Sequence, residues 1–132
     1  MADRFRAFLA SDDTLRIYRG GKLVFSSQKD RLVPLMDYMV ARKPAPDNLI
    51  IYDKIMGNAA ALLAVVVKAA GVFSPLGSEL AIKTLDCYGV KYNLTEVVPF
   101  IMRDDGRGLC PMEQLSIGKS PEEFYAIMKA RL

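Results

Sequence analysis

Apolar residues recur with a helical period in some segments of the chain and with a strand period in others. An apolar stripe within residues 1–13 predicts a short helix that covers one side of the domain. Apolar runs on both sides of Arg19-Gly20-Gly21-Lys22 predict a β-hairpin, because a Gly-Gly pair fits its tight turn. Helical spacing returns over residues 31–42, and Pro34 restricts the start of that helix to the residues just before it.

The second half of the chain alternates between buried strands and helices. Residues 49–52 are apolar without alternation, which is typical of a strand that is covered on both faces. Residues 58–70 are too long for a strand and apolar on nearly every side, so they predict a buried helix that is closed by Gly71. A loop is predicted at 43–48. Strands are predicted at 72–73 and 90–94, with a helix from Ser78 to about Tyr88 between them. A short helix is predicted from Pro111, and a last helix follows the capping box Ser120-Pro121-Glu122-Glu123.

This order of elements predicts one α/β domain over residues 1–132. The succession strand, helix, strand, helix, strand over 49–94 implies parallel strands joined by right-handed crossovers, whereas the hairpin adds antiparallel strands. We therefore expect a three-layer α/β/α architecture with a mixed sheet of about five strands. The length of 132 residues agrees with a single domain that buries a core of ordinary size.

The absence of histidine excludes several kinds of catalytic site. The chain contains no histidine and two cysteines, Cys87 and Cys110, so it cannot build a zinc site from His and Cys ligands. Ser-His-Asp and Cys-His catalysis are excluded for the same reason, and we expect neither a metal nor a cofactor. Two cysteines are too few to stabilise a secreted fold, which favours reduced thiols, and we interpret Cys87 as a core residue.

Charge and hydropathy limit the partners and the location. The chain carries 18 basic and 15 acidic side chains, and the basic residues are scattered along it, so nucleic acid is not an expected partner. The start of the chain lacks a signal-peptide pattern, and the longest mostly apolar run, 55–67, is shorter than the roughly 20 residues that span a bilayer. We therefore expect no membrane partner and a cytoplasmic location.

The main candidate site follows the central strand. In an open α/β sheet, ligands bind beyond the carboxyl ends of the parallel strands. Asp53 and Lys54 come directly after the strand, Gly57 lets backbone approach closely, and Asn58 begins a helix whose free N–H groups favour an anion. The alternative is purely structural, with Asn58 capping the helix and Asp53 pairing with Lys54 or a neighbour on the surface.

Further candidates precede or follow other elements. Cys110 lies just ahead of a short helix, a position that can make a thiol more reactive, although a free cysteine is more often a small buried residue. Arg103 is one of the nearest cations in sequence, and Glu113 can instead satisfy the helix start. The charged residues 29–31 fall at the same predicted rim, and we interpret them as a solvated cluster.

Three motifs carry a resemblance to a known family: Asp53-Lys-Ile-Met-Gly-Asn-Ala-Ala-Ala-Leu-Leu, Glu96-Val-Val-Pro, and Arg103-Asp-Asp-Gly-Arg-Gly-Leu-Cys-Pro-Met-Glu113. With these motifs the chain resembles an uncharacterised prokaryotic family that is placed in the cytidine-deaminase-like superfamily. The resemblance covers nearly the whole chain and implies the order helix, two strands, helix, strand, helix, strand, helix, strand. The elements predicted above follow the same order.

The resemblance does not extend to the zinc-binding motifs of that superfamily. Hydrolytic deaminases carry His or Cys, with Glu two residues later, at the helix after the hairpin, and Pro-Cys-x-x-Cys at the next helix. Here those helix starts read Lys29-Asp30-Arg31-Leu32 and Asp53-Lys54-Ile55-Met56-Gly57-Asn58, so zinc-dependent deamination is not expected. The chain is similar in kind to zinc-free members such as the formyltransferase of purine synthesis, which also place a Lys and an Asn at the second helix start. The resemblance therefore implies a shared pocket.

Our first hypothesis is a metal-free pocket that binds a small anionic or nucleotide-like ligand. Lys54 contacts the anion or acts as an acid, and Asp53 orients Lys54 or accepts a donor from the ligand. The catalytic candidates are Lys54, Asp53 and Cys110, and the ligand-binding candidates are Gly57, Asn58, Glu113 and Arg103.

Two other hypotheses do not need a bound ligand. The chain can be a non-catalytic module for protein interaction or self-association whose pocket has decayed, and its seven methionines allow an apolar contact surface. It can also sense redox state through Cys110, which predicts fast alkylation near neutral pH.

Overall fold

Helices and strands alternate along most of the chain. The computed structural model describes residues 2–41 and 48–132, so the predicted loop at 43–48 lies outside the described residues except for Asn48. No helix within these described ranges is long and apolar enough to cross a membrane. In chain order the elements are α1 (Ala2–Leu9), β1 (Leu15–Arg19), β2 (Lys22–Ser27), α2 (Val33–Ala41), β3 (Leu49–Asp53), α3 (Asn58–Val66), β4 (Ala69–Ser78), α4 (Glu79–Cys87), β5 (Lys91–Val98), α5 (Pro111–Ser116) and α6 (Pro121–Ala130).

The strands of the described residues form one mixed sheet of five, in the order β2-β1-β3-β4-β5. β1 is antiparallel to both of its neighbours, β2 and β3, whereas β3, β4 and β5 run parallel. Leu15 at the start of β1 therefore lies opposite Asp53 at the end of β3. Gly20 in the hairpin turn has a φ of 60°, which a residue without Cβ adopts at little cost. The predicted mixed sheet of five strands is confirmed.

Alternation along β3 divides its side chains between the two faces of the sheet. Ile51 is fully buried in the main core, together with residues of α2, α3, α4 and α6. Tyr52 points to the opposite face, where its ring stacks on Phe73 at a centroid distance of 4.9 Å and lies 6.0 Å from the ring of Phe8 in α1. Helices therefore cover both faces of the sheet.

The buried helix α3 is the centre of the helical layer. It packs against α4, α5 and α6, and residues Asn58–Ala64 are buried. α3 ends at Val66 rather than at the predicted Ala70, because Lys68 takes a left-handed conformation with a φ of 61° and turns the chain into β4. β4 is ten residues long, and not two, since its backbone pairs with β3 on one side and β5 on the other.

The prediction that Cys87 belongs to the core is wrong. Cys87 is exposed at the end of α4. The buried residues of this helix are Ala81 and Leu85, and a residue two positions after Leu85 lies on the other side of a helix with 3.6 residues per turn. The periodicity of α4 therefore directs Cys87 to solvent.

The predictions for the last two helices are confirmed. α5 begins at Pro111, whose missing N–H costs nothing at a first helical position. At the start of α6, the Ser120 hydroxyl accepts the N–H of Glu123, and the Glu123 carboxylate accepts the N–H of Ser120. This reciprocal pair fixes where α6 begins.

Candidate functional site

A cleft of about 750 Å³ lies at the carboxyl end of β3. Its walls come from the start of α3, from Thr14 just before β1 and from segment 101–113, which follows β5. Thr14 reaches the cleft because antiparallel pairing sets the start of β1 beside the end of β3. Six of the seven candidate residues line the cleft: Asp53, Lys54, Gly57, Arg103, Cys110 and Glu113.

Asp53 is the buried acid of the cleft, with 8% of its surface exposed. Its Oδ1 accepts the N–H of Ile55 at 3.4 Å. It forms no ion pair with any described residue, so the alternative in which Asp53 pairs with Lys54 is not seen. Burial raises the pKa of Asp53 from 3.8 to about 7, against the opposing effect of backbone N–H donors from Ile55 and Lys54.

Lys54 lines the cleft, but its ammonium group contacts the end of α1. Nζ lies 3.3 Å from the carbonyl oxygen of Ser11 and 3.5 Å from that of Leu9. It also lies 4.8 Å from the centre of the Phe8 ring. Carbonyl groups at a helix end favour a cation, so these contacts hold α1 against the sheet. An anion in the cleft would have to draw Lys54 away from them.

The carboxylate of Glu113 occupies the start of α3. Oε1 accepts the N–H of Asn58 at 2.7 Å, and Oε2 accepts the N–H of Ile101 at 2.7 Å. A Cβ at Gly57 would lie 3.0 Å from Oε1 of Glu113 and 3.0 Å from Cγ1 of Ile101, so glycine makes room for this contact. The chain itself thus supplies an acidic group for the first N–H of α3.

The side chain of Asn58 points away from the cleft into a polar network. Its Nδ2 donates to Oγ of Ser116 at 3.0 Å, and its Oδ1 accepts from the hydroxyl of Thr84. Gly57, not Asn58, is the N-cap residue of α3. Asn58 therefore connects α3 with α4 and α5, and it is not among the described residues that line the cleft.

Cys110 and Arg103 lie on the outer wall of the cleft. Cys110 is half-buried and is the N-cap residue of α5. Nη2 of Arg103 lies 3.2 Å from Oδ2 of Asp105, and the Arg103 side chain is 54% exposed at the rim. Both side chains line the cleft and are at least partly exposed.

The cleft carries charges of both signs. Asp30 and Arg31, which the sequence suggests to be solvated, line the cleft together with Arg103. No three His, Cys, Asp or Glu side chains within residues 2–41 and 48–132 converge closely enough to hold a metal ion. Thr14 was missed by sequence reasoning, because the hairpin signal pairs β1 with β2 and does not show that the start of β1 lies beside the end of β3.

Comparison with known proteins yields a family and a similar fold. The family model described as "Domain of unknown function (DUF1893)" matches residues 5–132. A crystal structure of a DUF1893 family protein from Thermotoga maritima superposes with a TM-score of 0.89 at 26% sequence identity, covering 99% of this chain and 88% of that chain. No curated protein matches the chain.

Proposed function

The chain belongs to the DUF1893 family of unknown function, and from its site we propose that it binds a small nucleotide-like ligand in the cleft. The observation that carries this proposal is the position of Asp53. Its carboxyl group is buried, lines the cleft at the carboxyl end of a parallel strand and has no basic partner among the described residues. A buried carboxyl group without a cation is an uncommon arrangement, and it is typical of functional sites.

The chemistry of Asp53 suits the edge of a nucleobase. With a pKa of about 7, its carboxyl group is present in both protonation states near neutral pH. The protonated form offers one donor and one acceptor side by side, and the carboxylate offers two acceptors. The protonated form pairs with a ring nitrogen beside an amino group or with a ring N–H beside a carbonyl group, and the carboxylate pairs with a ring N–H beside an amino group. Apolar residues beside Asp53, including Ile55 and Ile101, provide surfaces for the ring.

Cations at the rim suit a phosphate or another anionic group on the same ligand. Arg31 and Arg103 are exposed and line the cleft, and a guanidinium binds phosphate oxygens through two parallel hydrogen bonds. Lys54 contacts the anion or acts as an acid if its contacts with α1 are broken, and Cys110 lines the cleft as a candidate nucleophile. Glu113 and Asn58 hold the wall in place.

The framework is proposed to be related to the cytidine deaminases. The order of elements from α1 to β5 is the order that the sequence resemblance implies. We propose a pocket that works without a metal or cofactor, because the sequence carries none of the superfamily's zinc-binding motifs. We also propose a cytoplasmic location, since the thiols of Cys87 and Cys110 are both free.

Thermal shift measurements with nucleobases, nucleosides and nucleoside monophosphates test the ligand. At least one compound should raise the Tm of the wild type and of the control Asp12→Ala, whose carboxyl group is exposed outside the cleft. The same compound should leave the Tm of Asp53→Ala unchanged. If no compound raises the Tm, or if Asp53→Ala responds as the wild type does, the proposed recognition is wrong.

A second candidate function is self-association through β5. This strand pairs with β4 alone among the described strands, so its other edge can accept a strand from a second copy. Val97 and Phe100, near its carboxyl end, are 44% and 41% exposed. Light scattering should then give twice the mass of one chain, and Val97→Lys should return it to that of one chain. A monomeric wild type would contradict this candidate.

A further inference from the structure

The end of the sheet opposite the cleft gathers basic side chains from distant parts of the sequence. Arg19 lies opposite Lys22 in the hairpin and also opposite Leu49 of β3. Leu49 in turn pairs with Ala69 of β4, which directly follows Lys68. Lys91, the first residue of β5, pairs with Gly71 of β4, two residues after Ala69. We call Arg19, Lys22, Lys68 and Lys91 the basic end. They look scattered in the sequence, but the strand order places them along one border of the sheet.

The basic end is exposed and its charge is not neutralised within the described chain. All four side chains are exposed, and none of them forms an ion pair with a described residue. Arg19 and Lys22 are a directly opposed cross-strand pair of like charge, an arrangement that destabilises a hairpin unless an anion lies between the two side chains. The nearby Arg4 adds a guanidinium that donates to the carbonyl of Gly20.

Two exposed aromatic rings flank Lys91. Tyr88 at the end of α4 is 49% exposed, and Tyr92 on β5 is 38% exposed. A hydrogen bond with Asp86 of α4 raises the pKa of the Tyr92 hydroxyl, so an acidic side chain also lies near this border. Exposed rings beside cations are the combination that binds single-stranded nucleic acids, because bases stack on the rings while phosphates contact the cations.

The dimensions of the basic end fit an extended polyanion rather than a single phosphate. From Lys22 on β2 to Lys91 on β5 the border crosses four strand intervals, or about 19 Å at about 4.8 Å for each interval. This length accommodates several nucleotides of a single strand. We propose that the basic end binds single-stranded nucleic acid without sequence specificity, with its four cations on the phosphates and with Tyr88 and Tyr92 stacked on bases.

Fluorescence anisotropy with a labelled RNA or DNA single strand of about 16 nucleotides tests this proposal on the full chain. Four phosphate contacts predict that log K falls with log salt concentration with a slope of about −3. Lys22→Ala/Lys91→Ala should lower that slope to about half and weaken binding about tenfold or more at low salt. The matched control Arg107→Ala/Lys129→Ala removes two exposed cations elsewhere and should leave the slope unchanged.

The stacking part of the proposal has its own variant. Tyr88→Ala should weaken binding about tenfold without changing the salt slope, because it removes a ring and no charge. Absence of binding at about 50 mM salt would overturn the proposal. Equal losses in the two double variants would also overturn it, since binding would then follow net charge alone. Equal binding of a duplex or of anionic lipid vesicles, with no effect of Tyr88→Ala, would assign the basic end to a different class of partner.

Discussion

Burial gives Asp53 a carboxyl group that holds its proton close to neutral pH. Its folded-state pKa of about 7 lies above the ordinary 3.8, so folding takes up a proton between these two values. The contribution of the Asp53 carboxyl group to the free energy of unfolding is fully present below about pH 4, declines as the pH rises towards 7 and then levels off. A shift of about three pKa units corresponds to roughly 4 kcal/mol over this range.

Asp53→Asn should remove this pH dependence, because an amide of nearly the same shape stays neutral. We expect the variant to match the wild type near pH 4 and to be more stable by roughly 4 kcal/mol at pH 8. Urea unfolding across this pH range measures the difference. The control Asp12→Asn, at an exposed carboxyl group, should follow the wild type. Parallel curves for Asp53→Asn and the wild type would show that burial does not shift this group.

Gly57→Ala tests the tight contact between the start of α3 and Glu113. The added Cβ lies 3.0 Å from Oε1 of Glu113 and from Ile101, so the variant should lose about 1 to 3 kcal/mol of stability. Gly108→Ala is the matched control, because a Cβ there meets no atom within 4 Å. It should be neutral or stabilising by up to about 1 kcal/mol. Equal unfolding free energies for both variants would contradict the contact.

Positions directly after a strand were the ones that sequence reasoning could find. Asp53 ends β3 and Gly57 follows it, and the rule that ligands bind beyond the carboxyl ends of parallel strands selects both without any tertiary information. The partner of Asn58 could not be found in that way. Its N–H binds a carboxylate 55 residues later, and no local pattern distinguishes that contact from a free helix start.

The short helix α5 owes its position to a tertiary contact, since six residues form a helix of marginal intrinsic stability. Glu113→Ala removes the acceptor of two buried N–H groups and should cost about 3 kcal/mol or more. Hydrogen exchange should then speed up in residues 101–116. Gln114→Ala, on the exposed side of the same helix, should change stability by about 0.5 kcal/mol or less. Unchanged exchange in Glu113→Ala would mean that α5 is held by other contacts.

β4 shows where local propensity misleads. Gly71, Pro75 and Gly77 are typical of turns, so the sequence predicts a strand of two residues where the structure has one of ten. Pairing on both sides outweighs these weak strand formers. At Pro75 the neighbouring Ser74 hydroxyl donates to the carbonyl of Leu76, which supports the chain locally. The hairpin, which has a stronger pattern, was predicted correctly, and the buried helix was predicted with its start at Asn58 but with an end four residues too late.

The molecule should unfold as one cooperative unit, because α3 contacts α4, α5 and α6 and shares a core with the sheet. Phe124 of α6 is fully buried in that core, and Phe124→Ala should cost about 3 to 5 kcal/mol. Far-ultraviolet circular dichroism and tyrosine fluorescence should report one shared transition. Phe100→Ala, at an exposed ring, should cost about 1 kcal/mol or less. Two separate transitions would show that the last helix is an independent unit.

The order of the helices and the number of strands were predictable over the described residues, because most elements other than β4 carry their own periodicity and boundary residues. The grouping of basic residues at one border of the sheet was not predictable from the sequence, because it depends on strand order and register. Arg19 and Lys68 are 49 positions apart in the sequence, and only the pairing of β1, β3 and β4 makes them neighbours.

The two free thiols lie in different surroundings, Cys110 in the wall of the cleft and Cys87 in solvent beside Tyr88. Cys87→Ser would leave a single attachment point for an environment-sensitive fluorophore in the cleft. Cys110→Ser would leave one next to the basic end instead. A pair of singly labelled chains would then report occupancy of each surface separately and in real time.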